Sequence, residues 1–198
     1  MVPRTAAKRP AKTTAKTDSR KTKNKPEGQS GRKTASLPKA EKHADMPAIG
    51  AKAPAFTLLR DGGGSVSLKD FAGRKLVLYF YPRANTPGCT IEAMDFSRLK
   101  GAFEKADAAV LGVSADSVKA QDSFKTKHKL SIALGSDETH KMLEAYGVWQ
   151  EKSLYGRKFL GIVRATFLIG PDQRIAQVWP RVSVAGHAEA VLAAAKAL

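Results

Sequence analysis

The chain has 198 residues, enough for one domain of about 100 to 200 residues with some excess, and a formal net charge of +16 from 34 Lys and Arg against 18 Asp and Glu. Its single cysteine excludes a disulfide within the chain and fits a reducing compartment. No apolar run approaches the ~18 residues that a membrane-spanning helix needs, and no apolar core of a secretory signal follows the first basic residues.

Charge is concentrated at the start. Residues 1–45 carry 13 Lys and Arg against 4 Asp and Glu, with almost no Leu, Ile, Val or aromatic side chains. They cannot bury enough apolar surface to offset the entropy of ordering and are predicted to be a disordered basic tail. A Lys bias, scattered prolines and the lack of an amphipathic apolar face argue against a mitochondrial transit peptide. The expected location is cytoplasmic, with nucleoid or nucleus open through the tail. Runs such as AAKRPAKTTAK and SRKTKNK resemble lysine-rich, histone-like tails that neutralise phosphates without reading sequence. Non-specific DNA contact and plain solvation are both open readings of it.

Residues 46–198 have the composition of a globular domain. PAFTLLR (54–60) and SVSL (65–68) are predicted extended segments joined by DGGG, a hairpin signal. No Lys-Ser/Thr pair follows the glycines, which argues against a phosphate-cradling loop. RKLVLYFYP (74–82) is apolar on both faces and predicts a central buried strand. The next segment predicts an amphipathic helix opening at Cys89, apolar at Ile91, Phe96, Leu99 and Phe103, with acids near its start. AAVLGVSAD (108–116) predicts a strand, and residues 117–129 a helix capped by Asp116 or Ser117. After the short segment SIALGSD, a helix is predicted over about 138–146. Strands over 162–170 and 174–180 flank the turn PDQ, and a helix apolar at Val191, Leu192, Ala195 and Leu198 ends the chain. The alternation predicts an α/β domain on a mixed central β-sheet flanked by helices.

Cys89 follows a strand, a loop and the sequence Thr86-Pro87-Gly88. Unpaired amides and the positive end of a helix favour a thiolate, which is the nucleophilic form. The Thr86 hydroxyl, three residues earlier, could donate to the sulfur or to its target, and Pro82 and Pro87 restrict the loop. The residues alone fit a buried structural cysteine equally well. His43, His128, His140 and His187 are too far apart in sequence for a local metal-ligand pair, so neither metal nor cofactor is expected.

The run PRANTPGCT (82–90) contains the Pro-x-x-x-Thr-x-x-Cys motif and resembles the peroxiredoxins. The longer pattern FYP…NTPGCT…EA…F, with YGVWQEKSLYGRKFLGIVRATFLI (146–169) and GHAEAVL, is similar to the peroxiredoxin Q group, also called bacterioferritin comigratory proteins. The resemblance spans about residues 47–198 and none of the tail. It implies a thioredoxin-like fold and reduction of hydrogen peroxide and organic hydroperoxides without metal or haem. Cys89 would be the peroxidatic cysteine, Thr86 would hold the peroxide oxygen, Pro82 would shield the thiolate, and the Cys89 amide would stabilise charge. An arginine from a distant strand, Arg164 by its place in RATFLI, would polarise the peroxide. Arg83, Arg157 and Arg181 are rivals for that role.

One departure stands out. Many members of the group carry a resolving cysteine five residues after the first, where this chain has Met94. Five helical residues span about 7.5 Å along the axis, so such a disulfide requires the helix to open. The resemblance then implies one-cysteine catalysis, with the sulfenic acid reduced by an external thiol: thioredoxin, a glutaredoxin or glutathione. The alternative is a nucleic-acid-binding protein carrying a peroxiredoxin-like passenger domain.

Overall fold

A computed structural model describes residues 45–154 and 156–198. The predicted disorder of the basic tail, and any DNA contact made by it, concerns residues outside these, apart from Asp45. Strands β1 (Thr57–Arg60) and β2 (Ser65–Ser67) form the hairpin read from DGGG, with Leu58 opposite Val66. Its turn requires glycine, because Gly62, Gly63 and Gly64 all have positive φ. A 3-10 turn over Leu68–Phe71 leads to β3 (Lys75–Phe80), then α1 (Pro87–Lys105), β4 (Ala108–Ser114), α2 (Val118–His128), β5 (Ala133–Ser136) and α3 (Lys141–Ala145). The hairpin β6 (Trp149–Leu154) and β7 (Arg157–Ile162) follows, then β8 (Ala165–Ile169), β9 (Ile175–Trp179) and α4 (His187–Ala197).

Among the described residues seven strands form one sheet in the order β2-β1-β5-β4-β3-β8-β9. β3, β4 and β5 are parallel, while β1 and β8 join them antiparallel. Side chains alternate across β3, which makes it the spine of two cores. Leu76, Leu78 and Phe80 face Tyr146, Phe167 and Leu143 on one side. Val77, Tyr79 and Tyr81 face Phe96, Phe103, Phe124 and Val191 on the other, beneath α1, α2 and α4. This is the mixed-sheet α/β architecture expected from the alternation of elements.

Several elements differ from expectation. The β6–β7 hairpin was not predicted, because β7 is exposed along most of its length and shows no alternation of apolar and polar faces. It claims Ile162, so the following strand begins at Ala165. The helix expected over 138–146 is only Lys141–Ala145, entered through His140 in the left-handed region at φ 62°. Along α1, Cys89, Ala93, Phe96 and Phe103 are buried, and so is Glu92. Ile91, expected on the apolar face, is 55% exposed, because the buried stripe is phased on Cys89 rather than on it. Leu198 is exposed too.

Tyr79 stacks on Phe96 with ring centroids 4.6 Å apart. Space for its ring depends on Gly112 in the next strand, where a Cβ would lie 2.5 Å from the ring. The Tyr79 hydroxyl is buried with no hydrogen-bond partner among the described residues. Gly112→Ala is therefore expected to cost about 1–3 kcal/mol through overpacking. Tyr79→Phe should leave stability unchanged or raise it, since it removes an unsatisfied polar group. Urea denaturation of the two variants checks both.

Candidate active site

The chain leaves β3 at Phe80, crosses residues 81–85, and enters α1 with Thr86 as N-cap and Pro87 in the first turn. Proline suits this place, since its fixed φ matches the helix and its missing N–H would have had no partner. The first-turn N–H groups lack intrahelical acceptors. Those of Gly88 and Cys89 are the donors that this turn offers. Cys89 begins the buried stripe of α1 and is 1% exposed.

Arg164, between β7 and β8, meets it there. Its Nη2 donates to Cys89 Sγ at 3.1 Å, and its Nη1 donates to Glu92 Oε2. Glu92 is three residues after Cys89 and so lies on the same face of α1. One guanidinium thus bridges a thiol and a carboxylate of a single helix. Gly88 borders the same group, for a Cβ there would stand 3.4 Å from Arg164 Nη2.

Glu92 is 1% exposed, and its second oxygen, Oε1, is buried without a hydrogen-bond partner among the described residues. Burial pushes this carboxyl up to about 7, although the charge and hydrogen bond of Arg164 act in the opposite direction. For Arg164, burial opposes the charge, but Glu92 and Cys89 outweigh it and raise the guanidinium above its ordinary value. His187, at the start of α4, shares a 2.8 Å hydrogen bond with Thr166 Oγ1. Burial, with the charge of Arg164, lowers it to about 4.

Beneath the loop lies a polar network. Asp116 Oδ2 accepts from Ala84 N and from Ser114 Oγ, each at 2.8 Å. Gln121 Nε2 donates to Ser114 Oγ at 2.8 Å, and Gln121 Oε1 accepts from the Tyr81 hydroxyl. The loop that delivers Cys89 is therefore tied at Tyr81 and Ala84 to β4 and α2.

Of the residues singled out in the sequence, Cys89 and Arg164 come together. Thr86 is half-buried, with its hydroxyl donating to Arg83 O at 3.0 Å. Pro82 lies exposed at the end of the strand. Arg83, Arg157 and Arg181 are exposed, and no hydrogen bond joins any of them to Cys89. Two polar residues were missed. Glu92 belongs to the acids near the start of an amphipathic helix, and nothing in the sequence marks it as the one buried beside Cys89. Asp116, one of the two cap candidates in the sequence, ties down the loop instead, and Ser117 caps α2 by accepting from Ala120 N. A buried sulfur that accepts from a guanidinium in the first turn of a helix is equipped to act as a nucleophile, with the cation placed to stabilise charge in displacement.

Residues 49–178 match the model of the AhpC/TSA family. The chain is 49% identical over 136 residues to peroxiredoxin Bcp of Xanthomonas campestris, covering 69% of this chain and 85% of that protein. It is 45% identical over 139 residues to peroxiredoxin Bcp of Bacillus subtilis, covering 70% and 88%. Among solved structures, Xanthomonas campestris peroxiredoxin Q matches with a TM-score of 0.69 and 48% identity, covering 72% of this chain and 90% of that one.

Glu92 and His187 impose opposite pH dependences on stability. Glu92 binds its proton more tightly in the folded state, so its contribution is full below its ordinary value of 4.5 and is lost as pH rises through about 7. His187 binds its proton more weakly when folded, so its contribution is full above its ordinary 6.5 and is lost as pH falls towards about 4. Glu92→Gln should therefore make stability rise more steeply between about pH 4.5 and 7, and His187→Asn should make it rise less or fall. Urea midpoints across that range test this, and parallel profiles for all three proteins would refute it.

Proposed function

The chain belongs to the AhpC/TSA family, as a peroxiredoxin similar to the Bcp proteins, and from that premise we propose that Cys89 is the peroxidatic residue. The protein is a thiol-dependent peroxidase. The observation that carries the residue assignment is the 3.1 Å bond from Arg164 to Cys89 Sγ at the start of α1. The thiolate attacks one oxygen of the hydroperoxide, the O–O bond breaks, and the released alkoxide or hydroxide takes a proton to leave as alcohol or water. Cys89 is left as a sulfenic acid. Arg164 stabilises the charge on sulfur and on the peroxide, and Glu92 holds Arg164 in place. Thr86 turns its hydroxyl from the Arg83 carbonyl to the bound peroxide, and Pro82 restricts access of water.

Substrates are hydrogen peroxide and organic hydroperoxides. Alkyl peroxide reduction is the activity named for the Xanthomonas campestris bacterioferritin comigratory protein, which is 47% identical to this chain with a TM-score of 0.69. With one cysteine in the chain, the sulfenic acid is reduced by an external thiol: thioredoxin, a glutaredoxin or glutathione. Met94, five residues after Cys89, is 49% exposed, whereas Cys89 is buried on another side of α1. Among the described residues no helix is long and apolar enough to cross a membrane, and the place of action we propose is the cytoplasm. The basic charge of residues 1–45 supports, as a further proposal, non-specific contact with duplex DNA.

Mass spectrometry after one equivalent of peroxide should show one added oxygen, or a glutathione adduct when that thiol is present, and Cys89→Ser should show neither. A wild-type protein that neither gains oxygen nor consumes peroxide with any of the three reductants would refute the assignment. Met94→Cys should form an internal disulfide after oxidation if the start of α1 can open, read as loss of free thiols. For the tail, a salt titration should show duplex binding by the full chain falling steeply with salt and largely absent without residues 1–45. Equal binding by both forms would remove the DNA proposal.

A further inference from the structure

On the side of Arg164, the described residues form a shallow cleft of about 270 Å3 whose charged lining is Glu151 and Lys152 of β6, Arg164 itself, and Arg181 beyond β9. Its charge is one-sided. Glu151 accepts from Lys158 Nζ at 2.7 Å. Arg164 is engaged with Cys89 and Glu92. Lys152 and Arg181 have no acidic partner among the described residues. Lys152 Nζ donates instead to the Ile162 carbonyl of the neighbouring strand, which holds the ammonium in a half-buried position. Burial and the nearby positive charge of Arg164 both lower its proton affinity, which the negative charge of Cys89 opposes. A half-buried cation with no carboxylate is costly, and an incoming carboxylate would relieve that cost.

We propose that this cleft is a carboxylate subsite for the reductant, taking an acidic low-molecular-weight thiol of the glutathione class with its carboxylate between Lys152 and Arg181. The inference rests on the peroxidase reading, because only a sulfenic acid at Cys89 creates the need for an outside thiol. Arg164 links the two places, touching the sulfur and lining the cleft. The thiolate of the bound molecule attacks Cys89 Sγ, a sulfur–sulfur bond forms, and the S–O bond breaks. Hydroxide leaves and takes the proton of the incoming thiol as water. A second thiol then attacks the mixed disulfide, returns Cys89 as thiolate and departs as the symmetric disulfide. The same cations raise the local concentration of an anionic thiol and favour its reactive form.

The test uses the full chain oxidised with one equivalent of hydrogen peroxide and checked by mass spectrometry for one added oxygen. Reduction is then timed with glutathione and with glutathione diethyl ester, whose carboxylates are blocked. Glutathione should react about tenfold faster than the ester, the change expected from one charge-assisted hydrogen bond. Arg181→Gln and Lys152→Gln should each bring that ratio towards one. Unreactive S-methylglutathione should bind the reduced wild type more tightly than either variant by NMR titration. Equal rates with glutathione and ester in the wild type, or a ratio unchanged in both variants, would overturn the proposal. A charge preference confined to the peroxide step, seen with a carboxylate-bearing hydroperoxide against a neutral one, would also overturn it by assigning the cleft to the substrate. Absence of the added oxygen would refute the peroxidase reading instead, while S-methylglutathione binding would still decide on the cleft.

Discussion

The guanidinium of Arg164, placed between the thiol of Cys89 and the carboxylate of Glu92, is the interaction on which the site depends. The fold brings it there by register. Ala165 pairs with Phe80 across β8 and β3, so the residue before Ala165 falls next to the loop that leaves β3. Its backbone is pinned, with the Arg164 carbonyl accepting from Val182 N at 3.1 Å and Val163 N donating to Val148 O at 2.8 Å. On the other side, the buried stripe of α1 turns Cys89 and Glu92 inward together. Cys89 and Arg164 are 75 positions apart in the chain, and the packing of α1 on the central sheet makes them neighbours.

Such a site works against stability. Taking a guanidinium and a carboxylate out of water costs several kcal/mol per ion before pairing recovers any of it. Glu92 shows the balance, for burial outweighs the attraction of Arg164 and pushes its carboxyl up to about 7. Its Oε1 and the Tyr79 hydroxyl are buried without a hydrogen-bond partner among the described residues, and Tyr79 lies in the same core as Cys89. The surrounding aromatic layer of Tyr79, Tyr81, Phe96 and Phe103 supplies the opposing apolar burial. Asp116, Ser114 and Gln121 then fix the loop through satisfied hydrogen bonds. Buried polarity is thus concentrated around Cys89, as functional sites commonly require.

Much of this was legible in the sequence. The run LVLYFY gave a buried strand because both of its faces are covered, and DGGG gave a hairpin because three consecutive positions need positive φ. Cys89 was marked by its place after Thr86-Pro87-Gly88, and Arg164 by its place in RATFLI through family resemblance alone. The hairpin β6–β7 was not legible, since exposed strands need not alternate. Nor was the inward face of Glu92. A helix tolerates a buried acid only where a distant cation meets it, and that cation lies 72 residues away. Long-range pairing of charges leaves no periodic trace.

The central claim is that Glu92 acts on Cys89 through Arg164. Its most direct measurement is the second-order rate constant of Cys89 oxidation by hydrogen peroxide, followed by stopped-flow fluorescence in the wild type, Arg164→Met, Glu92→Gln and the double variant. Removing a group that stabilises developing charge should slow the reaction by about 100-fold in Arg164→Met, and by less in Glu92→Gln. The double variant should be no slower than Arg164→Met alone, because Glu92 has nothing left to position. Effects that multiply in the double variant, or an Arg164→Met rate within about twofold of wild type, would contradict the account.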